Sequence, residues 1–280
     1  MTRLPVLVAL AALGSLAGCQ SSLLKRPPTP AAALTREQLE AEPVPEGERY
    51  YVLLFGSESV PKRAVLTHTW ATVVRVAPPG TAGSLVEAHT ISWMPRTLAI
   101  RPFRFSVEPG VNLDLAATMR LVTGLGERVT LYGPYEVPVR VYRRLLVQKA
   151  FMEGGTVGYQ GFDLIGEAGR RGNGSNCIHA VTDVDPELGR SGYLLSGNGS
   201  RAGDFIRDRM TRRGIIGDPA AAHDWLLPTL GSTRRLCGGA DASGSLGFTP
   251  GTGVCPLPSV RTALKWGNLS RVMIVRATGV

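Results

Sequence analysis

Three residues of this chain have the side-chain types that covalent catalysis needs: the thiol of Cys177 and the imidazoles of His68 and His89. A cysteine attacks as its thiolate, so it needs a base to take the proton and a third group to orient that base. Cys177, His68 and His89 fill those roles in that order. Cys177 stands in the run Gly172-Asn173-Gly174-Ser175-Asn176-Cys177-Ile178-His179. The Gly/Asn/Ser stretch reads as a turn, with Ser175 or Asn176 as a helix N-cap. Cys177 then falls in the first helical turn, where unpaired N–H groups and the helix dipole favour a thiolate and suit an oxyanion. The competing reading is a small buried residue beside Ile178 and Ala180, inert in the core. His179 is two residues from Cys177 and faces elsewhere on a helix, so it reads as structural. His223, beside Asp224 and Trp225, reads as a packing residue.

The two histidines must be positioned by strands. Arg63 to Val76 alternates, placing His68, Trp70, Thr72, Val74 and Val76 on one face. Pro78, Pro79 and Gly80 break it. Leu85 to Trp93 reads as the next strand, with Leu85, Glu87, His89, Ile91 and Trp93 on one face. A hairpin centred near Gly80 pairs position 68 with 92, and boundary error also allows 68 opposite 89. Near-opposite residues of an antiparallel pair project to the same face when their registers match, which gives the expectation that His68 and His89 share an inward face. A zinc site from His68, His89 and Cys177 lacks any Cys-x-x-Cys or His-Glu-x-x-His pair, so no metal or other cofactor is expected.

The remaining elements follow from turn and cap signals. Tyr50 to Phe55 is a buried strand. Asn112 caps a helix from Leu113 to about Thr123, Arg128 to Tyr132 is a strand, and Pro138 to about Met152 is a helix. Further helices are expected from Cys177 to about Val184, from Asp204 to Arg213, and from Asp218-Pro219 to just before Pro228. Arg271 to Arg276 is a closing strand. This order implies an α+β fold, a mostly antiparallel sheet packed with helices.

A His on one strand, a polar residue on the next and a later Cys at a helix start resembles the circularly permuted NlpC-like branch of the papain superfamily, the lecithin retinol acyltransferase type. The resemblance spans about Tyr50 to Asp185. It implies a papain-like permuted core and a cysteine hydrolase or acyltransferase acting on an amide, thioester or ester. Peptidoglycan amide bonds or acyl lipids are the substrates within reach of an envelope protein. The alternative is an envelope protein that uses the same domain for binding or structure.

The envelope enters through the N-terminus. Arg3 is followed by an apolar run from Val6 to Leu13, too short for the roughly 20 residues of a membrane span. It ends in Leu16-Ala17-Gly18-Cys19, which resembles a bacterial lipobox. Residues 1–18 are then a signal peptide and Cys19 the lipidated N-terminus, anchoring the protein to a bacterial membrane that faces the periplasm or exterior. Residues 19–47, rich in Pro, Ala and Glu, read as a flexible tether, and 48–280 as one globular domain. Of the other cysteines, Cys237 and Cys255 bracket a Gly/Ser-rich stretch, and an oxidising compartment favours their pairing. The net charge of +9 comes mostly from arginine, since Lys25, Lys62, Lys149 and Lys265 are the only lysines. It permits attraction to anionic lipids or wall polymers, and export with no compact basic motif excludes nucleic acid as a partner. Cys19→Ser is expected to leave the protein unlipidated; phase partition into detergent checks this, and unchanged partition contradicts it.

Overall fold

The computed structural model describes residues 28–78, 86–162, 173–184, 188, 199–221, 223–230 and the backbone of 271–273. The signal segment, Cys19, Cys237 and Cys255 lie outside the described residues. The fold is α+β, with antiparallel strands packed against helices on both faces. Its centre is a five-stranded sheet in the order β3-β2-β1-β6-β9: Val86–Ile91, Thr67–Val76, Arg49–Glu58, Arg128–Glu136 and Arg271–Met273. Every neighbouring pair in it is antiparallel.

The apolar run of β1 belongs in the middle because it is buried on both sides. Tyr51, Leu53 and Phe55 join Trp70 and Val74 of β2 on one face, under helix α3 (Leu115–Gly124) and the short helix α7 (Leu226–Thr229). Tyr50, Val52 and Leu54 join Ala71 and Val73 on the other. There the sheet is covered by α4 (Val139–Glu153), α5 (Cys177–Thr182) and α6 (Ser200–Arg212), through Tyr142, Leu145, Ala180, Val181, Ile206 and Met210. The pairing of β1 with β6 shifts between Val52 and Leu54. Gly133 sits at that shift with φ +93°, and a Cβ there would come within 2.8 Å of the Val52 carbonyl oxygen, so only glycine fits.

The strand expected from Leu85 to Trp93 is two strands. Ser92 breaks it, and Trp93–Pro95 (β4) starts a second sheet with Glu108–Asn112 (β5), Gly158–Tyr159 (β7) and Gly174–Ser175 (β8). The cause is Asn112, expected to cap a helix. Its side chain accepts from the Ser92 amide at 2.8 Å and donates to the Thr90 carbonyl at 2.9 Å, taking over the hydrogen bonds of a strand partner. Asp114 caps the helix instead, accepting from Ala117 N at 2.6 Å. The helix expected from Asp218 is replaced by a turn in which Asp218 Oδ1 accepts from Ala220 N at 2.8 Å. Among the described residues there, only Leu226–Thr229 is helical.

The expected tether is shorter than the sequence suggested. Pro30–Ala33 (α1) and Arg36–Glu40 (α2) pack on α4, and Ala31 and Leu39 are buried. Thr29 caps α1 and also donates from Oγ1 to the Asp183 carbonyl at 2.8 Å, just beyond α5. Thr35 and Gln38 form a capping box at the start of α2. From α4, Arg143 donates to the Leu39 and Glu42 carbonyls, and Arg144 donates to that of Leu34 at 3.1 Å. Proline content suggested a linker, but these caps and arginines dock the segment from Thr29 onward. Leu39→Ala is expected to cost about 2–4 kcal/mol in urea unfolding. No change in the midpoint would show that the segment does not pack.

Candidate functional site

His68 lies near the start of β2, opposite Ser57 of β1. Its ring stacks on Trp70 at 5.3 Å, and Trp70 stacks in turn on Phe55 at 5.0 Å. Side chains alternate along a strand, so this stack fixes His68 to the face covered by α3. His68 is 2% exposed. Its Nε2 is 2.8 Å from Ser92 Oγ, while Nδ1 is buried with no hydrogen-bond partner. Burial pushes the imidazole down to about 3, so the ring is neutral across the physiological range.

Beside the ring is a cavity of about 300 Å³ lined by Leu66, Met94, Ile100, Leu121, Val122 and other aliphatic residues, with Glu127. Glu127 is buried and accepts a hydrogen bond from Ser57 Oγ at 2.5 Å. Its burial raises the carboxyl above its ordinary range, only partly offset by that bond.

His89 is elsewhere. β3 pairs with β2 in the register Val73↔His89. His68 and Val73 are five residues apart, about 17 Å along the strand, and an odd separation puts them on opposite faces. The expectation that His68 and His89 share a face is therefore corrected: the register places His89 on the α4 side. There Nε2 meets Glu87 Oε1 at 2.7 Å and the ring lies edge-on to Tyr142 at 6.0 Å. Arg75 pairs with Glu87 at 3.0 Å. The hydrogen bond from His89, with Arg75 and despite partial burial, holds the Glu87 carboxyl below its usual range.

Cys177 is the first residue of α5, as its sequence context suggested. It is a buried thiol, 8% exposed, packed against Ile178 and Ala202. Ala202 is in the first turn of α6. Gly199, which caps that turn, accepts from Thr69 Oγ1 at 3.2 Å. Gly56 lies under the same point, where a Cβ would fall 2.4 Å from the Gly199 oxygen. Cys177 thus belongs to the face that Thr69 presents, and its strand neighbour His68 points the other way. Among the described residues no hydrogen bond joins Cys177 to either imidazole. Two amides of that first turn are committed: Asn176 Oδ1 accepts from both Ile178 N and His179 N at 2.9 Å. His179 is fully buried on the same helix. The three residues expected to converge do not.

The polar side chain that does meet His68 is Ser92; Ser57 is opposite His68 in the register, and its partner Glu127 lines the same cavity. Position 92 was one of the two registers the hairpin allowed opposite 68, but a serine there carried no signal of its role. Among the described residues no group of His, Cys, Asp and Glu is placed to hold a metal ion, and no helix is long and apolar enough to cross a membrane. No family model, no curated protein and no solved structure matches the chain.

The His68 ring sets a pH dependence. Its folded pKa lies below the unfolded value of about 6.5, so its contribution is complete above that value and declines as pH falls toward 3. Glu127, raised on folding, acts in the opposite sense: its contribution is complete below its ordinary value and declines as pH rises through the raised one. Comparing the protein with His68→Gln isolates the histidine. Between pH 7.5 and 5 the wild type is expected to lose about 2 kcal/mol more than the variant in urea unfolding. Parallel pH profiles would contradict a buried neutral imidazole.

Proposed function

We propose that the chain is an exported envelope lipoprotein, held on the membrane by lipid at Cys19, whose globular domain works by binding and not by thiol catalysis. One observation carries the second half: His68, the base a thiol mechanism needs, points to the face of the sheet opposite Cys177 and is held by Ser92. A nucleophile and its base must lie within hydrogen-bond reach, with some looseness before substrate arrives. A five-stranded sheet between the two is not looseness. Two of the first-turn amides, those of Ile178 and His179, are occupied by the Asn176 side chain. What the His68 side offers instead is a mostly aliphatic cavity with two buried polar groups, the usual make-up of a small-ligand site.

The hydrolase or acyltransferase reading, on peptidoglycan amides or acyl lipids, keeps one observation in its favour: Cys177 opens a helix. Iodoacetamide labelling across pH separates the two. The binding account expects slow labelling of folded protein, faster labelling in urea, and no change with His68→Gln or His89→Gln. Rapid labelling well below the ordinary thiol value of about 8.5, abolished by His68→Gln, would overturn it.

A further inference from the structure

We infer that the segment 96–107 docks the domain on an anionic lipid surface, with Phe103 and Phe105 entering the headgroup region and Arg96 and Arg101 meeting lipid phosphates. This rests on the lipoprotein half of the reading above, which brings the chain to a membrane.

Exposed apolar side chains are ordinarily scattered singly over a surface. Here they are gathered. Among the described residues nine large apolar side chains are well exposed, and four of them, Leu98, Phe103, Phe105 and Val107, fall within ten residues. Phe103 and Phe105 are 63% and 54% exposed. A cluster of this kind marks an interaction surface. The backbone that carries it is pinned from beneath. Arg104 N donates to the Arg101 carbonyl at 3.0 Å, closing a turn with Pro102 in its second position and Phe103 in its third. Phe162 N donates to the Arg104 carbonyl at 3.2 Å, and Gln160 Nε2 donates to that of Phe105 at 2.6 Å. With these three carbonyls satisfied, the turn can leave bulk water without stranding them. Leu98 has φ +57°, a left-handed conformation that leucine rarely adopts. Strain of this kind persists where the surrounding structure imposes it, and it concentrates at binding segments.

The partner's chemistry follows from the cations interleaved with these side chains. Arg104 is engaged: its Nε donates to Ser106 Oγ at 2.8 Å, and its guanidinium pairs with Glu108 at 3.3 Å. Arg96 and Arg101 are exposed and have no carboxylate partner among the described residues. Aromatic rings beside unpaired guanidiniums suit the boundary where hydrocarbon meets phosphate: the anionic surface attracts each cation, and the rings reach the apolar side. The chain's net charge of +9 acts in the same sense. A protein partner would need a socket shaped to a protruding turn, whereas a fluid bilayer needs none.

The length of the link to the anchor is consistent with this contact. Nine residues separate Cys19 from Thr29, a span of at most about 36 Å when fully extended. Thr29 is fastened to the Asp183 carbonyl, just beyond the C-terminal end of α5. That helix is about 9 Å long. Before its other end, the Ser175 carbonyl accepts from Gln160 N at 3.1 Å, and Gln160 holds Phe105. The link and the aromatic turn are thus tied to the two ends of one short helix, an offset well inside the reach of the link.

The test uses the full lipidated protein in vesicles, with its phenylalanines replaced by 4-fluorophenylalanine. The Phe103 and Phe105 ¹⁹F lines are assigned with Phe103→Leu and Phe105→Leu. Lipids carrying a nitroxide high on the acyl chain are expected to broaden both lines in vesicles of phosphatidylcholine and phosphatidylglycerol, and to leave the line of buried Phe55 sharp. Phosphatidylcholine alone, or high salt, is expected to reduce the broadening. Arg96→Gln combined with Arg101→Gln is expected to lower the docked-to-free ratio at least about tenfold. Both side chains are exposed, and an unchanged Phe55 line shows that the variant folds; should it not, the comparison of lipids on wild type still decides. Lines that stay sharp in anionic vesicles, as they would beneath another segment of this chain, would overturn the inference. So would equal broadening in the two lipid mixtures, or lines that respond to protein concentration and not to lipid, the sign of a second copy. Vesicle flotation separates this inference from the reading beneath it. Protein that floats with both kinds of vesicle while its lines stay sharp is anchored without docking, and only the inference fails. Protein that floats with anionic vesicles alone, and only with Arg96 and Arg101 in place, docks without an anchor, and the lipoprotein reading fails.

Discussion

The alternation of side chains along β2 governs everything else in this structure. A strand buried on both faces must send neighbouring residues to opposite sides, and here both sides have been claimed by packed helices. Trp70, stacked between Phe55 and His68, fixes which set faces α3. Thr69, bonded to the Gly199 carbonyl, fixes which set faces α5 and α6. Once those two are settled, His68 has no freedom to meet a thiol at the start of α5. Moving it across would need a one-residue slip of β2, exposing its apolar positions to the wrong layer along its whole length.

That constraint also shapes the ground around His68. The sheet loses β3 as a neighbour after Ile91, because Ser92 turns away to begin the second sheet under the direction of Asn112. The gap left beside the start of β2 is roofed by α3 and by the segment from Leu98 to Ile100. Ser57 and His68 are opposite each other in the register, so their partners Glu127 and Ser92 are brought to the same region. A neutral imidazole and a carboxyl biased toward its protonated form are mutually tolerable there, where an ion pair would demand further partners.

Much of the frame was legible in the sequence. The alternation in β2, the buried run of β1, the long helix after Pro138 and the cap before Cys177 all appear within a residue or a few of where they were expected. Alternation also put His68 and Trp70 together correctly. What failed was the relation between strands. The register of β3 on β2 depends on a loop whose length tolerates several pairings, and a change of one position reverses a face. Asn112 had the type of a helix cap and serves as a false strand partner, which only the distant contact with Ser92 and Thr90 reveals. The docking of residues 29–41 was readable and passed over: Thr29-Pro30 and Thr35-x-x-Gln38 are both N-terminal helix signals, hidden by the surrounding prolines.

The claim on which the account turns is that His68 and Cys177 are on opposite faces of the sheet and do not sense each other. Ring ¹⁵N and ¹H resonances of His68, recorded for the wild type and for Cys177→Ser, test it most directly. The account predicts a single neutral tautomer for His68, with the same ring shifts in both proteins from pH 7.5 down to 5. A His68 ring that titrates near its ordinary value, or that changes tautomer or shift when the thiol becomes a hydroxyl, would contradict it.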